Sequence, residues 1–593
     1  MQLQVTKSKN AESFYIIKSY RNKKTGKTTS KIVEKLGTRQ ELEAKLGDGV
    51  DVSAWARQRA KELTEAERQS RRKVTVAYDP QKQLETGNRM VLGGGYLFLQ
   101  SIYYELGLDE VSRDIASRYQ FAYDINAILS RLIYGRILFP SSKMATCEFS
   151  KGLIEPPGFE AHQVYRALEV LNKENDLIQA TLYKNSAKVV PRKTRILYFD
   201  CTNFYFEIEE EDEFRRYGPS KQHQPLPLVQ MGLFMDAEGI PLVFSMDDGA
   251  QNEQLALRPL EERILEDFGL SKFVVVTDAG LSSIANRRFN SKDDRQFITT
   301  QSIKKLKGHL KSWALDKSGW RLSGKDELYD LDEMDKLLHE AGEDSLVKKA
   351  LIDQTFYKSR LIKEKDAKTK EDFEQLLIVT FSFKYRAYQA SIREGQVNRA
   401  LKAIASNTPR LDKKNPNDYR RFVKRIAHTG DGEICEHTAY LIDEGVITNE
   451  AQYDGYYGLC TSLDDDDVEG ILKVNARRWE IEECFRIMKD EFKSRPAYLS
   501  REERIRAHFL TCFIALLVYR LLEKKLGEAY TVTQIIDTLR AMVFEEVKGE
   551  GYRPLYERSE LTDALHEAFG FRADFEIITN RDMKKIFKKT KQR

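Results

Sequence analysis

Two short apolar runs, each followed by an aspartate, constrain the fold of this chain more than any other feature. Residues 195–199 read Arg-Ile-Leu-Tyr-Phe and end at Asp200, and residues 273–276 read Phe-Val-Val-Val and lead through Thr277 to Asp278. Continuous apolar runs of this length are typical of strands that are covered on both faces. The sequence therefore predicts an α/β fold whose central sheet presents both aspartates at strand ends, where such sheets carry reactive groups.

A third carboxylate lies in a helix that the spacing predicts over residues 469–493. At about 100° per residue, apolar side chains at 481, 485, 488 and 492 share one face, which is expected to be core. Beside that face runs a polar stripe formed by Arg478, Glu482, Arg486, Lys489 and Lys493. Glu482 is thus expected at the edge of the core, with Glu480 and Glu483 pointing elsewhere.

Each of these acids also has a purely structural interpretation. Aspartate is common in the turn after a strand, and the stripe around Glu482 could be a ladder of i,i+4 ion pairs on a surface helix. Taken together, however, three carboxylates from two strands and one helix can form a cage of oxygen ligands. Mg²⁺ prefers such ligands, and two ions about 4 Å apart can drive phosphodiester hydrolysis and transesterification. Basic neighbours of Glu482 would then hold a DNA backbone.

Composition limits the kinds of binding site and the cellular location that this chain can have. The net charge is only +4, so a nucleic-acid surface has to be local, and basic clusters do occur at residues 7–36 and 584–593. The six cysteines form no CxxC pair, which argues against a zinc ribbon or a disulfide framework. No apolar run is long enough to span a membrane and no signal peptide is recognised, so a cytoplasmic protein without a membrane partner is expected.

The order of predicted elements divides the chain into six regions. A basic β-hairpin with a helix occupies residues 1–90, and a helical region follows over 91–190. The first part of the sheet falls in 191–302 and the Glu482 helix in 466–525. Between them, residues 303–465 interrupt this succession of strands and helices and are interpreted as a β-rich insertion. Residues 526–593 form a helical C-terminal region with a basic tail.

Around the three acids the chain resembles bacterial insertion-sequence transposases of the DDE type, in the IS-four-like superfamily. That family carries a Tyr-x2-Arg-x3-Glu-x6-Lys signature, which Arg478, Glu482 and Lys489 match, whereas Asn475 stands where the signature has tyrosine. The segments that resemble the family's other blocks are 198–204, 217–223 with 232–233, 276–281, 297–305, 495–498 and 506–509. The resemblance covers about residues 195–525.

The resemblance implies an RNase H-like catalytic core interrupted by the insertion, with a mainly helical N-terminal region that binds DNA. Asp200 would bind two Mg²⁺ ions, for which Mn²⁺ could substitute, and Asp278 and Glu482 would each complete one site. It also implies cut-and-paste transposition by a homodimer, with terminal inverted repeats and target DNA as double-stranded partners, in the nucleoid of a bacterium. The residues assigned to DNA contact are Arg478, Arg486, Lys489, Lys221 and His223.

Two other functions remain open at this stage. A stand-alone RNase H-like nuclease would share the three acids but would not need the terminal regions or the insertion. A DNA-binding protein that has lost catalysis is the second alternative, for which Asn475 is the one supporting feature.

Overall fold

The computed structural model describes residues 1–8, 11–21, 28–47, 50–71, 74–76, 79–81, 83, 91–222, 224–342, 345–365, 371–406, 418–428, 437–463 and 467–592. The chain forms two compact units. The first comprises Met1–Asn88 with Val547–Tyr552, and the second comprises Arg89–Glu546 with Arg553–Arg593.

The first unit is a small sheet with two helices. Its antiparallel strands are β1 (Gln2–Lys7), β2 (Glu12–Arg21) and β3 (Thr28–Thr38), followed by α1 (Arg39–Leu46) and α2 (Val52–Arg71). Phe14, Leu42 and Val52 form the buried centre. The predicted strand pair is thus confirmed, while the predicted turn at 24–27 lies outside the described residues.

The second unit begins with a helical layer. Strand β4 (Val91–Gly93) precedes six helices, which are α3 (Tyr96–Glu105), α4 (Leu108–Arg118), α5 (Ile125–Leu138), α6 (Lys143–Ser150), α7 (Ala161–Lys173) and α8 (Asn175–Val189). The Asp124 side chain accepts a hydrogen bond from the Ala127 amide and caps α5, as its sequence predicts.

An α/β region follows the helical layer. Its elements are β5 (Ile196–Tyr205), β6 (Leu228–Asp236), β7 (Pro241–Asp248), α9 (Leu257–Glu266), β8 (Val274–Thr277), α10 (Ile284–Phe289) and β9 (Gln296–Thr300). Strand β6 pairs antiparallel with both β5 and β7, whereas β8 is parallel to both β5 and β9. The two apolar runs are therefore adjacent parallel strands, and α9 supplies part of the crossover that parallel pairing requires.

Residues 303–465 add three strands to the same sheet. Their elements are α11 (Gly308–Leu315), α12 (Leu331–Glu340), α13 (Leu346–Asp353), β10 (Phe356–Lys365), β11 (Asp372–Phe381), α14 (Phe383–Ala405), β12 (Val423–His428), β13 (His437–Ile442), α15 (Glu444–Ala451) and β14 (Tyr456–Thr461). The complete strand order is β10-β11-β14-β9-β8-β5-β6-β7. The described part of this segment contains both strands and helices, and its longest element is α14.

The chain ends in a second helical part. Its elements are α16 (Val468–Ala476), α17 (Trp479–Arg486), a π-helical turn (Ile487–Glu491), α18 (Glu502–Lys525), α19 (Val532–Ala541), β15 (Val543–Val547), β16 (Gly551–Pro554), α20 (Glu560–Phe569), β17 (Ile578–Thr579) and α21 (Asn580–Thr590). The predicted C-terminal helices are present, and short strands separate them.

Helix α18 is the central support of the second unit. Apolar residues at helical spacing, including Phe509, Phe513 and Leu521, are buried, and so are the other faces of the helix along residues 507–522. It packs against α3, α5, α7 and β7. By length and hydropathy alone α18 would also suit a membrane span, but 94% of its apolar window is buried within the protein.

One carboxyl is buried in the layer beside the sheet. Glu261 on α9 is fully buried, and its Oε1 accepts a hydrogen bond from Asn290 Nδ2 at 2.7 Å. Its Oε2 has no hydrogen-bond partner in the part of the chain that is described. Burial raises the pKa of Glu261 from 4.5 to about 8, so the neutral acid is favoured in the folded state.

We therefore expect Glu261→Gln to stabilise the protein at alkaline pH. Between pH 4.5 and 8 the folded state holds a proton that the unfolded state has lost, so the wild-type free energy of unfolding falls as pH rises. Glutamine at position 261 cannot ionise, so the variant lacks this pH dependence. Near pH 8 its free energy of unfolding should exceed that of wild type by on the order of 3 kcal/mol. Urea unfolding at several pH values measures the effect, with exposed Glu262→Gln as control. Parallel pH profiles for Glu261→Gln and wild type would contradict this account.

Candidate active site

Asp200 and Asp278 lie side by side in the sheet. The parallel register pairs Ile196 with Val274 and Tyr198 with Val276, and its continuation brings Asp200 opposite Asp278. Each Oδ1 accepts a hydrogen bond from the next backbone amide, Cys201 at 2.8 Å and Ala279 at 2.7 Å. Both carboxylates are thereby held in the same way on neighbouring strands, which are about 4.8 Å apart.

The expected strand end is found for only one of the two aspartates. Asp278 directly follows β8, but Asp200 lies in the middle of β5, which continues to Tyr205. The sequence pattern predicted two strands with a break at Asp200. The strand continues because β6 pairs with it along its length, from Leu197 to Tyr205.

The two carboxyls have different surroundings. The Asp200 side chain is 19% exposed and that of Asp278 is 51% exposed. Burial raises the pKa of Asp200, and the negative charge of Asp278 acts in the same direction, while Lys221 and Arg478 oppose the shift. The ionised form of Asp200 is therefore costly until a cation comes close to it.

The predicted single helix around Glu482 is in fact three pieces. Helix α16 ends at Ala476, α17 begins at Trp479, and the π-helical turn follows, closed by a 2.9 Å bond from the Phe492 amide to the Ile487 carbonyl. The predicted apolar face is nevertheless buried. The extra residue in the π-helical turn changes the direction of the side chains after residue 486.

Buried ion pairs anchor α17. Glu480 is 6% exposed and pairs with Arg477 at 2.7 Å and with Arg520 of α18 at 3.4 Å. Arg520 also donates to the Gly239 carbonyl, at 2.9 Å, in the turn between β6 and β7. Alanine at 239 would place its Cβ 2.2 Å from both charged groups, so this turn requires glycine. The helix is thereby fixed to both the sheet and α18.

Glu482 differs from its neighbouring glutamates. Glu483 pairs with Arg486 at 2.6 Å and Glu480 is buried, whereas Glu482 is exposed and forms no ion pair with any described residue. The cations on either side of it in the sequence reach the sheet. Arg478 lies 3.6 Å from Asp278 Oδ1, and Lys489 donates to the Thr202 hydroxyl on β5. Glu482 lies between Arg478 and Lys489 in the same run of helix.

The three acids are not gathered into a preformed metal cage. Across the described ranges, no three His, Cys, Asp or Glu side chains lie close enough together to hold a metal ion. Three carboxylates without a cation between them repel one another. The donor set itself suits a hard cation, because all three ligands are oxygen and Oδ2 of each aspartate accepts no hydrogen bond from a described residue.

The other four residues assigned to DNA contact have different surroundings. Lys221 donates to the Cys201 carbonyl, and its Nζ lies 4.0 Å from Asp200 Oδ1. Burial lowers the pKa of Lys489 to about 8. Arg486 forms ion pairs with Glu483 at 2.6 Å and with Glu491 at 3.6 Å. His223 lies outside the described residues.

Sequence reasoning missed three further side chains at the site, which are Tyr457, Thr300 and Glu253. The Tyr457 hydroxyl contacts Thr300 Oγ1 at 3.0 Å, and Arg478 donates to the same Oγ1 at 3.0 Å. Asn475 donates to the Tyr457 hydroxyl at 3.3 Å, so the residue that departs from the signature joins this chain of contacts. Glu253 is the third, with Oε1 3.4 Å from Lys221 Nζ. No local pattern indicates these contacts, since each joins segments far apart in sequence.

Comparisons with known proteins agree on the class of domain. The family described as Transposase DDE domain matches residues 191–518, from just before β5 into α18. No curated protein sequence matches this chain.

Two solved structures are among those that resemble the chain. In a piggyBac transposase synaptic complex with hairpin DNA, the match has 8% identity and a TM-score of 0.34, over 76% of this chain and 80% of that one. In a Mos1 transposase paired-end complex with the left transposon end, it has 13% identity and a TM-score of 0.12, over 42% and 68%. The domain match, which spans more than half of the 593 residues, shows that this protein belongs to the DDE transposase domain family.

Proposed function

We propose that this protein is a cut-and-paste transposase of a bacterial insertion sequence, which cleaves DNA at transposon ends and joins the freed ends to target DNA. The observation that carries the proposal is the pair of aspartates, Asp200 and Asp278, on adjacent parallel strands within the matched domain. In the order β7-β6-β5-β8-β9, neighbours among the first three strands are antiparallel, and β8 and β9 run parallel to β5. This order supports assignment of the region to an RNase H-like core.

Asp200, Asp278 and Glu482 would hold two Mg²⁺ ions, which Mn²⁺ could replace. Bound there, the ions would activate the attacking oxygen and stabilise the leaving oxygen in both strand cleavage and strand transfer. The chain's own contribution is geometric. The β5–β8 pairing fixes the two aspartates, and the ion pairs of Glu480 fix helix α17, from which Glu482 would reach a metal ion bound at the aspartates.

Cations around these acids fit a DNA backbone. Arg478, Lys489 and Lys221 each lie at or beside the aspartate-bearing strands and could contact phosphate oxygens without reading bases. Residues 1–190 would recognise terminal inverted repeats, and a homodimer would bring two ends together in the bacterial cytoplasm. A stand-alone nuclease would cut but not join DNA, and a protein without catalysis would only bind it. An assay that detects joined products therefore separates the three.

We expect Glu482→Gln to abolish cleavage while leaving the fold intact. The amide keeps the size of the side chain but removes the charge needed to hold a metal ion, so a loss of at least about 10³-fold is expected. Because Glu482 is exposed and unpaired among described residues, the melting temperature should not change. Single-turnover cleavage of a labelled transposon end and thermal unfolding measure the two effects.

Glu483→Gln is the matched control for that experiment. It removes an adjacent acid that pairs with Arg486, and we expect it to retain most of the activity. Loss of cleavage in Glu483→Gln together with activity in Glu482→Gln would show that the third metal ligand has been misassigned.

Asp200→Asn should have opposite effects on stability with and without metal. The pKa of Asp200 is raised by burial, so its charge destabilises the folded state near neutral pH, and the amide should raise the melting temperature in chelator. In wild type, Mg²⁺ at tenfold its dissociation constant should add about 1.4 kcal/mol. Thermal unfolding with and without Mg²⁺ tests this. An equal Mg²⁺ effect in Asp200→Asn would place the metal elsewhere.

Tyr457→Phe should slow cleavage by loosening Arg478. Without its hydroxyl, Thr300 and Asn475 each lose a partner, and one such hydrogen bond is worth about 1 kcal/mol, or roughly five-fold in rate. Single-turnover rates at saturating Mg²⁺ measure the change, with exposed Tyr388→Phe as control. Equal rates for the two variants would exclude a role for this contact.

A further inference from the structure

The ammonium group of Lys221 lies among three oxygen acceptors at the proposed active site. It donates to the Cys201 carbonyl, and its Nζ lies 3.4 Å from Glu253 Oε1 and 4.0 Å from Asp200 Oδ1. The contact with the Cys201 carbonyl is a hydrogen bond, and those with Glu253 and Asp200 are ion pairs. One cation thus serves two carboxylates, and it is closer to Glu253 than to the proposed metal ligand.

The backbone that carries Lys221 is held firmly. The Pro219 carbonyl accepts a 2.9 Å bond from Asn203 on β5. Gly218 packs so closely on Gly249 that a Cβ would lie 1.8 Å from its carbonyl oxygen. The lysine side chain, by contrast, is 42% exposed. Its four-carbon stem can therefore change partners without moving the loop.

Glu253 is positioned to receive the ammonium. It begins a short 3-10 turn after β7, and Asn252 caps that turn by accepting from the Gln254 amide at 3.0 Å. The Glu253 carbonyl also lies 3.9 Å from Cys201 Sγ, which fixes the turn beside Asp200. The Glu253 side chain is 29% exposed.

We propose that Lys221 is a displaceable counter-ion for Asp200, and that Glu253 takes over its charge when a divalent cation binds. This inference rests on the proposed metal-dependent function. A cation bound by Asp200 would repel an ammonium 4.0 Å from the same carboxylate. The only change needed is a small movement of Nζ toward Glu253, and no covalent step is involved.

The arrangement has a measurable consequence, because Lys221 competes with the divalent cation for Asp200. Removing the lysine charge should strengthen cation binding, whereas removing the Glu253 charge should weaken it by leaving the ammonium on Asp200. Lys221 is a positioning residue in this scheme, and its effect appears in metal affinity before any DNA is bound.

The test is isothermal titration of the full chain with Mn²⁺, without DNA and near neutral pH. We expect Lys221→Met to bind Mn²⁺ about three- to tenfold more tightly than wild type, and Glu253→Gln to bind it about two- to fivefold more weakly. Lys221→Arg keeps the charge and should bind with nearly wild-type affinity. Lys292→Met and Glu266→Gln remove exposed charges elsewhere and serve as matched controls, and thermal unfolding confirms that every variant is folded.

Unchanged or weaker Mn²⁺ binding by Lys221→Met would overturn the inference, provided that Asp200→Asn abolishes the binding. Should Asp200→Asn and wild type bind Mn²⁺ alike, the proposed function fails at its metal site and the inference falls with it. Should Lys221→Met prove unstable, Lys221→Gln takes its place. The weaker binding of Glu253→Gln supports the inference only if it disappears when the lysine charge is removed as well.

Discussion

The parallel pairing of β5 with β8 is the constraint on which the rest of the structure depends. Parallel neighbours cannot be joined by a tight turn, so the chain between them first adds β6 and β7 to one side of β5 and then crosses back through α9. The register then leaves no freedom for the acids, because aligning Tyr198 with Val276 brings Asp200 opposite Asp278. Both strands are buried, and a shift by one residue would move every side chain to the opposite face of the sheet and disrupt its packing.

A second constraint links the sheet to the helix that carries Glu482. Arg520 of the buried helix α18 holds both Glu480 and the Gly239 carbonyl, so one guanidinium joins three elements. Burying these charges is costly, and removing either partner would leave the other uncompensated. Such a network therefore contributes more to the position of α17 than to the total stability. Contacts outside the proposed metal site therefore determine the position of the helix that carries Glu482.

Much of the site could be predicted because its acids sit in strong local patterns. Apolar runs marked Asp200 and Asp278, and helical periodicity marked the buried face next to Glu482. The break between α16 and α17 and the π-helical turn were missed, since packing against the sheet decides them. Glu253 could not have been found either, because its role depends on a lysine 32 positions away and on the sheet that brings them together.

The distribution of cations explains why the proposed metal ligands need not be assembled in advance. Asp278 has Arg478 at 3.6 Å and Asp200 has Lys221 at 4.0 Å, so each aspartate has a positive neighbour while Glu482 stays in solvent. These distances exceed those of a close ion pair, and each cation also has another acceptor, Thr300 or Glu253. Loosely held cations cost little to displace. Under the proposed function, divalent ions would take the place of these cations beside the carboxylates, and each cation would keep its second acceptor.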